Sequence, residues 1–356
     1  TLHALLTALA CLGLFRLLET GTMPGWLPLA LALHPLIRFE GAAILLAGAW
    51  LLLARGKWLA AFTALGLAGL ALAVYAALMM RLGLPIFPSS VMVKLAPVSP
   101  HYFVLDLLRN HGAAPAILAT IVFAHRLLFI EKLSLRPQSL LVQVALIPVV
   151  LHLVAGRFGW LERYEVYLNV WIALMACRIY RDQLVYLCAR VRGGMLAALA
   201  VVGFVFIQQG PINLLLTPFA ASNIYEQQYQ MHRFVAGFYR GAVAVNDLGY
   251  VSYANDAYVL DLWGLGNETA RKLRRAGERD WIGPLVEKQG VKLAIVFDTW
   301  FPGQIPAGWR KVATMALGRL HVSSGQKYVT FYATADDACG TIAERLAEFR
   351  PTLPPG

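Results

Sequence analysis

The sequence predicts an α-helical polytopic membrane protein with about eight transmembrane helices and a C-terminal exported α/β domain. Of its 356 residues, 58% are hydrophobic and only 14% are charged. Soluble and intrinsically disordered chains of this length carry more charge, so both classes are excluded. The uncharged stretches that are long enough to cross a bilayer begin before residue 210. We therefore assign residues 1–210 to a transmembrane helical domain and residues 211–356 to the α/β domain.

Two uncharged stretches predict membrane spans most clearly. Trp58 to Met80 and Pro137 to Gly156 can each cross a hydrocarbon core of about 30 Å as a helix. A third stretch starts at Gly193, and its span should end near residue 209, where Gln208 to Pro211 break the pattern. The other predicted spans are 1–18, 24–37, 41–54, 111–129 and 166–180. The segments 24–37, 41–54 and 166–180 are shorter than a full span.

The net charge of +11 lies mainly in the apolar part of the chain. Residues 1–210 contain 16 Lys and Arg against 7 Asp and Glu, whereas residues 211–356 contain 15 against 13. Eight spans place ten of the basic residues of the apolar part on one side and six on the other. By the positive-inside rule, this asymmetry indicates how the protein is oriented in the membrane, and the basic excess does not point to a nucleic-acid partner. We expect a multi-pass protein of the bacterial inner (plasma) membrane with its C-terminal domain in the periplasm or outside the cell.

Charged residues at membrane depth are costly and often functional. Arg38 and Glu40 lie between two short apolar segments, as expected for a break at the outer surface. Arg38 is a candidate ligand of an anionic lipid phosphate, and Glu40 a candidate for orienting it or the acceptor. The alternative is an ion pair that only closes a helical hairpin.

A second predicted outer loop, residues 81–110, contains a run from Gly83 to Lys94 with two prolines and two serines. The prolines fix the backbone, and Lys94 supplies a compact cation suited to phosphate. Lys94 could equally be an interfacial anchor whose amine reaches the headgroups.

The third outer loop, residues 156–167, is the densest polar and aromatic cluster of the apolar part. Its candidate binding residues are Arg157, Arg163, Tyr164 and Glu165. An arginine fork donates two hydrogen bonds to a phosphate, and aromatic rings suit both an interface and the apolar face of a sugar. An aromatic belt with charge-paired loop residues would give the same pattern.

In the C-terminal domain, buried strands are predicted at 242–245, 258–260 and 292–297 and an alternating strand at 327–332. Helices are predicted at 267–276, 281–289 and 336–349, with Asn267 and Asp336 as N-caps. Asp247 and Asp298 follow two strands, and ligand groups often lie at the carboxyl edge of a parallel sheet. Ordinary turn chemistry explains both acids as well.

Four segments together resemble bacterial polytopic glycosyltransferases of the GT-C superfamily, including the arabinofuranosyltransferase-like and protein mannosyltransferase-like groups. Arg38-Phe39-Glu40-Gly41 resembles their Arg-Pro-Glu-Gly element, with Phe39 in place of proline. Gly83-Leu84-Pro85 through Lys94 is similar to one of their loops, and residues 156–167 are similar to an aromatic and basic periplasmic loop of some members. Residues 246–265 resemble the Asp-x-Gly, Tyr and Asp-x-x-Gly-Leu pattern of their exported domain.

The resemblance implies an inverting transferase that moves a sugar from a polyprenyl-phosphate donor to a glycan, lipid or protein acceptor at the outer face of the membrane. In the superfamily the key acid lies in the first outer loop. This chain starts at Thr1 within an apolar run, so we expect it to lack that N-terminal part, and the catalytic residues stay unassigned. No cofactor is assigned, although a divalent metal ion is compatible with the sequence. The alternative function is a non-enzymatic, membrane-anchored protein that binds glycan or a partner. A transporter is disfavoured because no repeat is evident.

Overall fold

A computed structural model describes residues 1–88, 91–92, 107, 110–159, 161, 163–190 and 210–354. Over these residues the chain is mostly helical, and a small sheet lies near its C-terminus. It divides into two compact units, one within Thr1–Ile86 and Val98–Asn213 and the other within Phe87–Pro97 and Leu214–Gly356. Lys94 lies outside the described residues.

The first unit is built from apolar helices. Four helices of the described part are long and apolar enough to span a membrane: Leu2–Thr20 (α1), Trp58–Arg81 (α4), Ala114–Glu131 and Pro137–Ala155 (α6). The third is α-helical over Ala114–His125 (α5) and continues as a π-helix over Arg126–Glu131. These helices match the spans predicted at 1–18, 58–80, 111–129 and 137–156 in position, length and composition.

Shorter apolar helices occupy three other predicted spans. They are Leu27–Ile37 (α2), Ala42–Ala54 (α3) and Val166–Ile179 (α7), with 11, 13 and 14 residues. Each is shorter than the roughly 20 residues that a complete span requires. Helix Arg181–Arg190 (α8) follows α7. The predicted span at 193–209 lies outside the described residues. Of the eight predicted spans, four are therefore candidates by length and composition, and three others are short apolar helices.

A single tight turn separates α2 from α3. The 3-10 turn Phe39–Gly41 lies between the two helices, and Arg38 before it is extended, with φ −153°. A Cβ atom on Gly41 would lie 2.5 Å from the carbonyl oxygen of His34, so the close approach of the two backbones requires glycine here.

Helix α6 lies in the core of the first unit and packs against α3, α5 and α7. Helix α4 is peripheral. It contacts α2 and α3, and its buried residues are the small side chains Ala60, Ala61, Ala64 and Ala68. Its other side exposes large apolar residues, among them Leu59 and Phe62. Small residues at helix contacts and large apolar residues on the outside are typical of helices that pack within a bilayer.

From residue 210 onwards the helices are Gly210–Glu226 (α9), Gln228–Arg233 (α10), Glu268–Ala276 (α11), Ile282–Lys288 (α12) and Cys339–Phe349 (α13). A π-helix over Phe234–Tyr239 continues α10. Gly210 and Pro211, where the sequence predicts a break, are helical in α9, and the span predicted before them lies outside the described residues.

The sheet has five strands in the order β2-β1-β3-β5-β4. They are Val243–Val245 (β1), Val259–Asp261 (β2), Leu293–Val296 (β3), Arg310–Ala316 (β4) and Tyr328–Ala333 (β5). β1 is parallel to both β2 and β3, whereas β5 is antiparallel to β3 and β4. Opposite sheet faces are covered by two separate apolar clusters. The parallel strands β1, β2 and β3 end at one edge, as the sequence predicts for the two strands that precede Asp247 and Asp298.

The sequence predicted four of the five strands and all three helices between residues 267 and 349. β4 was missed because its side chains are mostly exposed and only half-alternating. The N-cap role of Asn267 is confirmed: its side chain accepts a hydrogen bond from the backbone N–H of Ala270 at 2.9 Å. The N-cap prediction for Asp336 is wrong. The chain first makes a 3-10 turn at Asp336–Ala338, and the Asp336 carboxylate pairs with Arg310 at 2.6 Å.

Candidate functional site

Four helix ends of the first unit bring aromatic and imidazole rings together. His3 lies in the first turn of α1, His34 near the end of α2, His152 near the end of α6, and Tyr167 in the first turn of α7. The His3 ring stacks on Tyr167 with centroids 4.1 Å apart and meets His34 edge-on at 5.6 Å. All four side chains are buried. We call this set the histidine cluster.

A tyrosine hydroxyl links three segments of this cluster. Nε2 of His152 lies 3.1 Å from the carbonyl oxygen of Arg157, which can only accept, so this nitrogen carries a proton. In the neutral imidazole Nδ1 is then an acceptor, and the Tyr167 hydroxyl donates to it at 2.9 Å. The same hydroxyl lies 3.3 Å from the carbonyl oxygen of Glu40. Tyr167 thereby ties the end of α6 to the turn between α2 and α3.

Arg38 lies beside this cluster, where α2 ends. Its Nη1 donates to the carbonyl oxygen of Arg163 at 2.7 Å, and its Nη2 lies 3.6 Å from the Glu40 carboxylate. The guanidinium also lies over the Tyr164 ring, 4.8 Å from the centroid, which is a cation–π geometry. The side chains of Arg38 and Glu40 are 23% and 17% exposed, so both are partly withdrawn from solvent.

Glu165 organises the loop before α7. Its side chain is buried, and its two carboxylate oxygens accept from the backbone N–H groups of Gly159, at 2.5 Å, and Tyr164, at 3.0 Å. Gly112 lies against it, because a Cβ atom there would be 2.5 Å from Oε1. Two backbone donors on one buried carboxylate indicate that Glu165 holds the loop in shape.

The structure brings together six of the eight residues that the sequence singled out. Arg38, Glu40, Tyr164 and Glu165 lie in the contacts described above. Arg157 and Arg163 contribute backbone carbonyl oxygens, and their side chains are exposed. The other two are not part of this group: Lys94 lies outside the described residues, and Asp247 belongs to the second unit.

The histidines were not singled out from the sequence. Each lies in an apolar helix, and a polar residue in such a helix is the signal that would have drawn attention to it. Both ring nitrogens of His3 and Nε2 of His34 are buried without a hydrogen-bond partner among the described residues. No group of three or more His, Cys, Asp or Glu in the described part is placed to hold a metal ion.

At the strand ends of the second unit, both predicted acids are hydrogen-bonded. Asp247 accepts from Nε2 of Gln228 at 3.1 Å. Asp298 accepts from the hydroxyls of Thr330, at 3.0 Å, and Tyr332, at 3.1 Å. Burial, together with the negative charge of Asp298, raises the pKa of Tyr332 to about 12, because both disfavour the phenolate. Tyr332 is therefore a neutral donor that holds Asp298 in place.

The comparisons with known proteins bear on the second unit alone. A family model described as a domain of unknown function (DUF8728) matches residues 222–332, a range that contains β1 to β4 and all of β5 except its last residue, Ala333. No curated protein and no solved structure matches the chain.

Proposed function

We propose that the protein is a membrane glycosyltransferase that moves a sugar from a polyprenyl-phosphate carrier to an acceptor at the outer face of the membrane. Two things support this. The sequence resembles GT-C transferases in four ordered segments, and the residues of two of those segments, around Arg38 and around Glu165, meet in the first unit. Arg38 is the residue to which we assign the carrier phosphate.

The environment of Arg38 carries the proposal. A guanidinium has five N–H donors, and here the carbonyl oxygen of Arg163 and the carboxylate of Glu40 engage Nη1 and Nη2. The Glu40 contact is long, at 3.6 Å, so the positive charge is only partly compensated. A cation that is partly withdrawn from water stabilises a second anion, and a phosphate takes two parallel hydrogen bonds from an arginine fork. The cation–π contact with Tyr164 fixes the plane of that fork.

The proposed topology has eight spans, with Arg38, Arg157 and Arg163 at the outer surface. The excess of basic residues on the opposite side supports this orientation. It places a phosphate headgroup within reach of Arg38, because lipid phosphates lie where the hydrocarbon core ends. The second unit would then lie outside the cytoplasm.

In the proposed reaction, an acceptor hydroxyl oxygen attacks the anomeric carbon of the sugar as the bond from that carbon to the phosphate oxygen breaks. The electron pair of that bond leaves with the polyprenyl phosphate, and the hydroxyl proton passes to a base. Arg38 stabilises the negative charge that develops on the leaving phosphate. The base is unassigned: both Glu165 oxygens are occupied by backbone donors, which argues against that residue.

Binding of the carrier tests the assignment. The full chain in lipid nanodiscs is titrated with a polyprenyl phosphate and with the matching polyprenol, which lacks the phosphate. We expect the phosphate to bind at least about tenfold tighter, and Arg38→Ala to remove about that difference. Arg38→Lys should restore only part of it, because the ammonium lacks the fork. The control is Arg55→Ala, since Arg55 lies at the other end of α3.

Sugar transfer is then measured with polyprenyl-phosphate-linked sugars and a panel of glycan, lipid and peptide acceptors. Loss of transfer in Arg38→Ala, with transfer retained in Arg55→Ala, would support the transferase. Equal binding of the phosphate and the polyprenol, or Arg38→Ala behaving as the unaltered protein in both assays, would contradict it and leave the non-enzymatic binding protein as the better description.

A further inference from the structure

A continuous set of aromatic rings lies on the surface of the second unit. The Tyr229 ring contacts Tyr250 edge-on at 5.4 Å and stacks on His232 at 6.3 Å. Tyr250 also contacts His232, at 5.6 Å, and Tyr253, at 6.2 Å. Tyr250 and Tyr253 are exposed, the latter to 70%. These four residues form what we call the tyrosine surface.

A hydrogen-bonded pair, Gln228 and Asp247, joins the same two segments of chain. Gln228 precedes Tyr229 on α10, and its Nε2 donates to the carboxylate of Asp247, which precedes Tyr250. Gln228 is only 4% exposed, yet its Oε1 has no hydrogen-bond partner among the described residues. Nδ1 of His232 is likewise buried without a partner. Both atoms have almost no accessible surface, so a ligand at the rings would instead meet the partly exposed carboxylate of Asp247, which Gln228 holds in place.

We propose that the tyrosine surface, with Gln228 and Asp247, is a binding site for a neutral saccharide. Sugars present an apolar face of C–H groups that packs on aromatic rings, and hydroxyls that both donate and accept. A sugar hydroxyl can donate to the Asp247 carboxylate, which is partly exposed. None of the ion pairs in the described part of the chain involves Asp247, so its carboxylate favours a neutral ligand over an anionic one.

A lipid surface is the competing occupant, because tyrosines are also enriched at membrane interfaces. The Asp247 carboxylate beside the rings repels the phosphate groups of lipid headgroups, which disfavours this occupant. The saccharide proposal does not depend on the transferase reaction, because it concerns binding to the second unit alone.

The test uses the full chain in nanodiscs, titrated with neutral linear tetrasaccharides of hexoses and pentoses and with a tetrasaccharide of uronic acids. We expect saturable binding of at least one neutral tetrasaccharide. Tyr250→Ala and Tyr253→Ala should each weaken it by roughly tenfold, and Tyr250→Trp should retain it. Asp247→Asn should weaken it by a similar factor because one hydroxyl acceptor is lost. The matched control is Tyr328→Ala, since Tyr328 is an exposed tyrosine at the start of β5.

Three results would overturn the proposal. One is no saturable binding of any neutral tetrasaccharide. Another is binding that Tyr328→Ala weakens as much as Tyr250→Ala does. The third is quenching of a fluorophore attached at Tyr253→Cys by spin-labelled lipid together with no effect of saccharide, which would assign the surface to the membrane. Because none of these readouts involves sugar transfer or Arg38, a failure here is distinguishable from a failure of the transferase proposal.

Discussion

The guanidinium of Arg38 donates a hydrogen bond to the backbone carbonyl oxygen of Arg163, 125 residues further along the chain, at 2.7 Å. This bond joins the end of α2 to the loop that precedes α7. The acceptor is backbone, so it does not depend on the identity of the side chain at position 163. Arg38 therefore contributes its side chain to this contact, whereas Arg163 contributes only its backbone.

This asymmetry gives the first prediction. Arg38→Ala should increase the rate of amide hydrogen exchange in the loop at 156–165 by roughly tenfold to a hundredfold, because a hydrogen bond from a charged donor contributes about 1.5–3 kcal/mol. Arg163→Ala should leave the exchange rate nearly unchanged, since the carbonyl oxygen is retained. Exchange measured by mass spectrometry in detergent micelles checks both variants. Equal acceleration in the two would show that the contact is not made.

Tyr167→Phe removes the hydroxyl that donates to His152 and lies near the carbonyl oxygen of Glu40. Because it leaves buried acceptors without a donor, we expect a loss of about 1–3 kcal/mol in the free energy of unfolding. Tyr180→Phe is the control: Tyr180 lies just beyond the end of the same helix, and its ring contact with Arg126 does not need the hydroxyl. Equilibrium unfolding in mixed micelles compares them. If Tyr180→Phe costs as much as Tyr167→Phe, the hydroxyl is not what stabilises the cluster.

A comparison of two carboxylates separates a structural role from a chemical one. Glu165→Gln replaces one of two acceptor oxygens by an amide that faces a backbone N–H, so stability should fall by about 1–3 kcal/mol. Glu40→Gln removes only a long ion pair to a partly exposed arginine, which should cost about 0–1 kcal/mol. Thermal unfolding of the two variants measures the order. An unchanged melting temperature for Glu165→Gln together with lost transfer activity would instead assign a catalytic role to that carboxylate.

The raised pKa of Tyr332 predicts that the stability of the second unit depends on pH. Its pKa is raised from the ordinary tyrosine value of 10.0 to about 12 in the folded protein, by burial first and by Asp298 second. The folded state therefore binds the proton more tightly than the unfolded state. The stabilisation is complete below about pH 10 and declines as the pH rises towards 12. The stability difference between the unaltered protein and Tyr332→Phe should accordingly shrink over this interval. A difference that stays constant or grows from pH 9 to 12 would contradict the assignment.

Local sequence patterns predicted the elements whose burial is simple. The buried runs of β1 and β3 and the four long apolar helices follow from composition alone. β4 was missed because Arg310, Lys311 and other exposed side chains hide its pairing with β5, which depends on a partner elsewhere in the chain. The site divides in the same way. Arg38 and Glu165 are recognisable in the sequence because they interrupt apolar stretches. The histidines are not, because a single histidine changes the average hydropathy of its helix very little.

The meeting of His3, His34 and His152 could not be predicted, because it requires the start of α1 and the ends of α2 and α6 to lie together. That arrangement depends on how the helices contact one another and on the glycine turn at Gly41, where the backbones approach closely. The hydroxyl of Tyr167 has two possible acceptors, and only the distances show which is preferred.

β4 lies at one end of the strand order, so no strand among the described residues pairs with its other side. Its first residues, Arg310 and Lys311, are exposed, and its register with β5 shifts between Lys311 and Ala313. Positive charge and an irregular backbone both oppose the addition of another strand. The second unit is thereby protected against edge-to-edge aggregation through this strand.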